Sequence, residues 1–156
     1  MSNSSEFRCY AYFKITSDLP LEAIQKHMKS EGDGRTWSKG DPRKRVVKGK
    51  TVFPGGKYSF SMWQLVSGVE LGQPLDLHIQ ALWRRLAGCR DQICDLPDTM
   101  CGVVQGTGFF KTHRDPFVLS SGHYQTASFY GLPIDFDFYY EDNFGYEDEG
   151  TPYWEW

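Results

Sequence analysis

No apolar run in these 156 residues approaches the ~20 needed to cross a bilayer, which argues against a membrane-spanning helix. The opening stretch "MSNSSEFRCYAYFKI" lacks a basic region followed by an apolar one, so no secretory signal is expected and a cytoplasmic location follows by default. In that compartment the four cysteines, Cys9, Cys89, Cys94 and Cys101, are expected as free thiols. The last three are too widely spaced for a Cys-x-x-Cys pair, and His27, His78, His113 and His123 are scattered singly. No metal centre and no cofactor are therefore expected.

Catalytic motifs are also missing. There is no Gly-x-Ser-x-Gly elbow. "VKGKTVF" contains Gly-Lys-Thr, but Lys44 stands where a phosphate-binding loop needs its first glycine, and a strand rather than a helix is expected after Thr51. "GVVQGTG" misses the dinucleotide fingerprint spacing. His113, His123 and Asp115 are the residue types of an acid–base cluster, although His113-Arg114-Asp115-Pro116 reads more simply as a turn. No catalytic residue is assigned, and a non-enzymatic role is favoured.

What the chain does have is aromatic residues, 16% of the total, in a frame of ordinary globular composition with 24% charged residues. Surplus aromatics suit a thick core, a ligand groove or an interaction surface. The net charge of −3 conceals two blocks. Lys26 to Lys50 holds nine Lys and Arg against Glu31, Asp33 and Asp41, whereas Asp135 to Trp156 holds eight Asp and Glu and no Lys or Arg. Each block can meet a partner of opposite sign, or each other.

Phe7 to Ile15 alternates, which predicts a strand with Phe7, Cys9, Ala11, Phe13 and Ile15 on one face and Arg8, Tyr10, Tyr12 and Lys14 on the other. "TSDLPLEAIQKHMKS" predicts a helix capped by Ser17 or Asp18 and ended by Gly32 and Gly34. Thr51 to Phe53 and the stretch "KYSFSMWQLVSG" read as a hairpin turning at "PGGK". Leu75, Ile79, Leu82 and Leu86 recur at helical spacing. Met100 to Phe110 reads as a glycine-weakened strand, "VLSSGHYQTASFYG" as a third helix and Pro133 to Tyr140 as a last strand. The expected order is β-α-β-β-α-β-α-β: an α+β fold, with one antiparallel sheet and helices packed on one face. Residues 1–142 form a single domain, and 143–156 an acidic aromatic tail.

The ordered set of "CYAYFKI", "PLEAI", the Trp37 to Arg43 segment, "MWQLVSG", "LDLHIQALWRRL" and "IDFDFYY" resembles the bacterial domain of unknown function family 4279. The resemblance runs from about Glu6 to Glu141 and implies a fold without implying an activity. "CGVVQGTGFF" and the tail have no counterpart in that pattern.

Six residues stand out as candidate binding groups. Trp37, Arg43 and Arg45 lie in the basic loop, where phosphate contact and a merely solvated loop are the two readings. The pI near 5.8 argues against nucleic acid. Asp135 and Asp137 share a strand face, either as paired carboxylates or as the solvated side of an edge strand. Trp63 shares a face with Ser59, Ser61 and Leu65, opposite the bulkier set Tyr58, Phe60, Met62, Gln64 and Val66. The bulkier set is expected under the helices. A core role for Trp63 then requires a bulge, and the alternative is a ligand-facing role. The functional expectation is a protein-binding module, immunity-like in one version, whose acidic tail meets a protein with a basic surface. The alternative is a small-molecule-binding protein or enzyme with a pocket near Trp63 and the Trp37 to Arg45 loop.

Overall fold

The alternation of the first strand is what organises the molecule. A computed structural model describes residues 7–110 and 118–140, and makes Phe7–Ser17 strand β1. The elements that follow are α1 (Leu21–Met28), the short strands β2 (Arg45–Val47) and β3 (Lys50–Val52), β4 (Ser61–Val66) and α2 (Leu75–Leu86). A single 3-10 turn leads into α3 (Arg90–Cys94), then β5 (Met100–Phe110), α4 (Ser121–Tyr130) and β6 (Ile134–Tyr140). The main sheet has the order β4-β1-β5-β6. β1 runs antiparallel to both neighbours, with Ile15 beside Trp63 and Phe13 beside Val104.

The α+β class holds, but the sheet is mixed, because β6 runs parallel to β5. The reason is the connection: α4 lies between the two strands, and a helical crossover returns the chain in the same direction. The expected hairpin also differs. β3 pairs with β2 through the turn Lys48-Gly49, both at positive φ, and not with β4. Two residues in that conformation form the tight turn whose twist matches its strands.

One sheet face carries the core. Cys9, Ala11, Phe13 and Ile15 of β1 pack with Trp63 and Leu65, and the helices cover them with Ile24, Ile79, Leu82 and Leu86. Phe136 flanks this cluster. The glycines of β5 explain how bulk fits. A Cβ on Gly106 would meet the Phe136 ring at 3.0 Å and Leu75 at 3.2 Å, and one on Gly102 would meet Leu96 at 2.9 Å and Phe13 at 3.1 Å. These positions face the core and leave room for neighbouring rings.

α1 starts after Pro20, and its Leu21 N–H is capped by Ser38 Oγ at 3.0 Å, so neither Ser17 nor Asp18 serves. It ends at Lys29, which takes the left-handed conformation itself. Gly32 and Gly34 serve packing instead. They pass so close over β4 that a Cβ would fall 2.8 Å from Trp63 Nε1 or 2.6 Å from Gln64 Oε1. Among the described residues no helix is long and apolar enough to cross a membrane.

Candidate functional site

Residues 33–60 form an arm laid along the outer edge of β4. Trp37 and Met62 exchange backbone hydrogen bonds at 3.1 and 2.9 Å, and the Asp33 N–H reaches the Gln64 carbonyl at 3.1 Å. The buried Gln64 side chain turns back to accept the Arg35 N–H at 2.9 Å. This clamp fixes where Arg35 leaves the sheet.

An aromatic brace holds the arm together. Trp37 stacks on Tyr58 with centroids 4.3 Å apart, and its indole N–H donates to the Phe60 carbonyl at 2.9 Å. The Tyr58 hydroxyl accepts from the Lys44 N–H and donates to the Lys44 carbonyl, at 3.2 and 3.1 Å. The Arg35 guanidinium sits over the Trp37 ring, 5.4 Å from its centroid. Arg35, Arg43, Lys44 and Arg45 form no ion pair among the described residues. The nearby carboxylate of Asp33 is already occupied by Arg85 and by the Val66 N–H.

A cleft results. One part, of about 560 Å³, is lined by Tyr10, Tyr12, Gln64, Ser67 and Leu71. A second, of about 580 Å³, is lined by Trp37, Lys44, Arg45 and Thr51. Gly34 and Arg35 belong to both, so Arg35 stands at the junction between a tyrosine-lined end and a cationic end. Burial pushes the Tyr12 hydroxyl well above the usual phenol range, with Tyr10 and Asp137 adding to the effect and Arg35 opposing it. Tyr12 therefore stays protonated and can donate a hydrogen bond.

The sequence-based candidates divide. Trp37, Arg43 and Arg45 come together on the arm, where Arg43, Trp37 and Tyr58 also line a smaller hollow of about 340 Å³. Trp63 does not join them. The register of β4 on β1 is continuous and needs no bulge, and the face of Trp63, not that of Met62, lies under the helices. Trp63 is 1% exposed, meets Phe13 edge-on at 6.2 Å and donates its indole N–H to the Ser30 carbonyl at 3.0 Å. The core role expected first for Trp63 therefore holds, but without a bulge: bulk along the strand misled the face assignment, and the smaller Ser61 is buried by bonding to the Leu19 carbonyl and the Lys39 N–H. Asp135 and Asp137 are exposed on β6, on the sheet face away from the helices. Asp137 accepts from Gln105 Nε2 at 3.1 Å, and Gln105 Oε1 accepts from Lys14 at 3.3 Å. These carboxylates lie across the sheet from the arm.

The described histidines hold elements together. The Trp83 indole donates to His123 Nδ1 at 3.1 Å, which leaves the proton on Nε2 for Asp76 Oδ1 at 2.9 Å. Both ring nitrogens are thus engaged in tying α2 to α4. His123 finds Asp76; His113 and Asp115 lie outside the described residues. Hydrogen bonds from the Ser120 N–H, with the Ser120 hydroxyl and His123 adding to them against burial, hold the Asp76 carboxyl below its usual range. His78 is fully buried, shares a 2.9 Å hydrogen bond between Nδ1 and Ser67 Oγ, and has no hydrogen-bond partner at Nε2 among the described residues. His27 Nε2 lies 2.7 Å from the Gln92 carbonyl, joining α1 to α3. Among the described residues, no three His, Cys, Asp or Glu side chains converge as a metal site would require.

The domain of unknown function DUF4279 matches residues 6–141. The chain belongs to the DUF4279 family. The match takes in every element described above, including the arm and the glycine-rich "CGVVQGTGFF" of β5, which the sequence pattern had left without a counterpart. No curated protein and no solved structure matches the chain.

The cleft uses residues that the sequence did not single out. Arg35 and Tyr58 gave no signal beyond their place in a basic, aromatic tract. Tyr10 and Tyr12 were visible as the outer face of an alternating strand, but nothing local says that the arm crosses beside them.

Proposed function

We propose that this DUF4279 chain is a non-enzymatic protein-binding module that takes up an extended acidic segment of a partner protein in the cleft between the arm and β1. One observation carries the reading: Arg35, Arg43, Lys44 and Arg45 are gathered on an aromatic-braced arm, with no described carboxylate paired to any of them. Such a concentration of cations in a protein of net charge −3 attracts an anionic partner and repels a basic one. Aromatic side chains beside the cations suit a segment that alternates acidic and aromatic residues. The complementary idea, a basic partner surface met by the acidic tail, concerns residues outside the described ones.

The reading is tested with two labelled synthetic peptides of equal length and aromatic content, one built on Glu and Asp and the other on Lys. Fluorescence anisotropy is expected to show binding of the acidic peptide alone. That binding should weaken steeply with salt, since the Debye length falls from ~10 Å at 0.1 M to ~3 Å at 1 M. The R35E/R45E variant, with an unchanged melt, is expected to lose it. Equal binding of both peptides, or of the acidic peptide to both proteins, overturns the proposal.

A second reading draws on the tyrosine-lined part of the cleft, whose volume of about 560 Å³ is that of a small-molecule site. Tyr12, Gln64 and Arg35 would there orient a small anion-bearing ligand. Competition between the acidic peptide and such a ligand would place both in one cleft.

A further inference from the structure

The surface that calls for an acidic, aromatic occupant belongs to a chain that carries such a segment itself. We propose that residues 143–156 are the resident occupant of the cleft, an internal pseudo-ligand that a partner must displace; this rests on the cleft being a site for acidic segments. Composition is the first argument. The segment holds Glu147, Asp148, Glu149 and Glu155 interleaved with Phe144, Tyr146, Tyr153, Trp154 and Trp156, and it has no Lys or Arg.

Placement is the second argument. β6 ends at Tyr140, level with Phe110 of β5, which is level with Phe7 of β1. Tyr10, at the mouth of the cleft, lies on β1 three residues along and two strands across from that point. At a strand spacing of about 4.8 Å and a rise of about 3.3 Å per residue, the separation is about 14 Å. An extended run from Tyr140 to Glu147 reaches about 23 Å, so the first acidic cluster has the length to enter at Tyr10 and continue towards Arg35.

Energetics make the contact reversible. Exposed ion pairs are individually weak and screened by salt, but a short tether supplies an effective concentration in the millimolar range. The segment therefore occupies the cleft without locking it. A partner's own acidic segment, bearing more contacts, displaces it and meets a lowered apparent affinity until it does. The device raises the threshold for binding and screens out weakly acidic segments.

The test uses the full chain labelled with 5-fluorotryptophan and fluorine NMR. The five tryptophans divide by position: Trp37 reports the arm, Trp154 and Trp156 the segment, and buried Trp63 and Trp83 the integrity of the core. Compared with the native chain, E147K/D148K/E149K is expected to shift the Trp37 signal while leaving Trp63 in place. High salt should move the native Trp37 signal the same way. The acidic peptide is expected to bind the E147K/D148K/E149K chain about five- to tenfold more tightly than the native chain. A Trp37 signal and a peptide affinity that are both unchanged by E147K/D148K/E149K would overturn self-occupancy, yet leave the cleft reading standing because the peptide still binds. A peptide that binds neither chain and moves no Trp37 signal overturns both.

Discussion

Trp63 fills the space between Phe13 and the passage of Gly32 across β4, and its N–H satisfies the Ser30 carbonyl. Replacing it with alanine removes a whole indole from a site that helices and sheet together enclose. The expected loss of stability is about 3–5 kcal/mol, measured at the urea midpoint. A phenylalanine there keeps a ring against Phe13 but leaves the Ser30 carbonyl without its donor, a defect of about 1–3 kcal/mol. His78 makes a different prediction at the same scale. Burial holds its pKa below the ordinary 6.5, with the backbone of Glu70 and Gln73 opposing. The unfolded chain therefore takes up a proton first as the pH falls. Stability is complete above about pH 6.5 and declines below it until the folded pKa is reached. Urea midpoints at pH 7.5 and 5.5 should fall further for the native protein than for His78→Gln. Equal falls would show that His78 does not contribute to this acid limb. Cys9 is held similarly: burial raises its thiol to about 11, with the backbone of Leu75 opposing, and this suits a packing role.

Among the elements, β5 shows how composition that weakens a strand can serve its packing. Gly106 and Gly108 sit beside Phe136 and Phe138 of β6 on the core face, where the phenyl rings take the place of missing side chains. Gly106→Val adds branches that meet Phe136 and Leu75, and is expected to destabilise the fold by about 1–3 kcal/mol. A melting temperature equal to the native one would mean that the Phe136 ring moves aside freely. The helices are joined by polar contacts as well as by burial. The Trp83–His123–Asp76 relay ties α2 to α4, and Asp76 also accepts both the N–H and the hydroxyl of Ser120. Because the Asp76 pKa is depressed, the stability it contributes is present above the unfolded carboxylate range and lost as the pH falls through its folded value. At the edges of the sheet, the arm bridges β4 through Trp37, and β6 exposes Asp135 and Asp137, charges that discourage pairing with another chain.

At the scale of the molecule, the sheet separates two kinds of surface. Its helix side is a closed apolar core, and its other side carries Lys14, Gln105 and Asp137 in one polar chain, with the cationic arm at one edge. The described histidines are engaged in holding elements together, and the described cysteines, all free, are dispersed over β1, β5 and the helices. Dialysis against a chelator is expected to leave the melting temperature unchanged, because no set of ligands converges among the described residues. A fall of several degrees together with zinc detected by elemental analysis would contradict this.

Period and punctuation made much of the fold legible in the sequence. The alternation of Phe7 to Ile15, the helical spacing from Leu75 to Leu86 and the glycine at the end of α4 are local patterns, and local sterics and burial enforce them. The family resemblance was legible for the same reason, since it rests on the order of such patterns. Trp37, Arg43 and Arg45 could be seen as a basic, aromatic loop, but their use could not. Three decisions belonged to the tertiary structure alone. The direction of β6 depends on where α4 packs. The face of Trp63 depends on which side the helices cover, because alternation defines two faces without saying which is inner. The cleft exists because Gln64 clamps Arg35 beside Tyr10 and Tyr12, residues far apart in the chain. Such contacts arise from the shared burial of distant segments, and no window of neighbouring residues contains them.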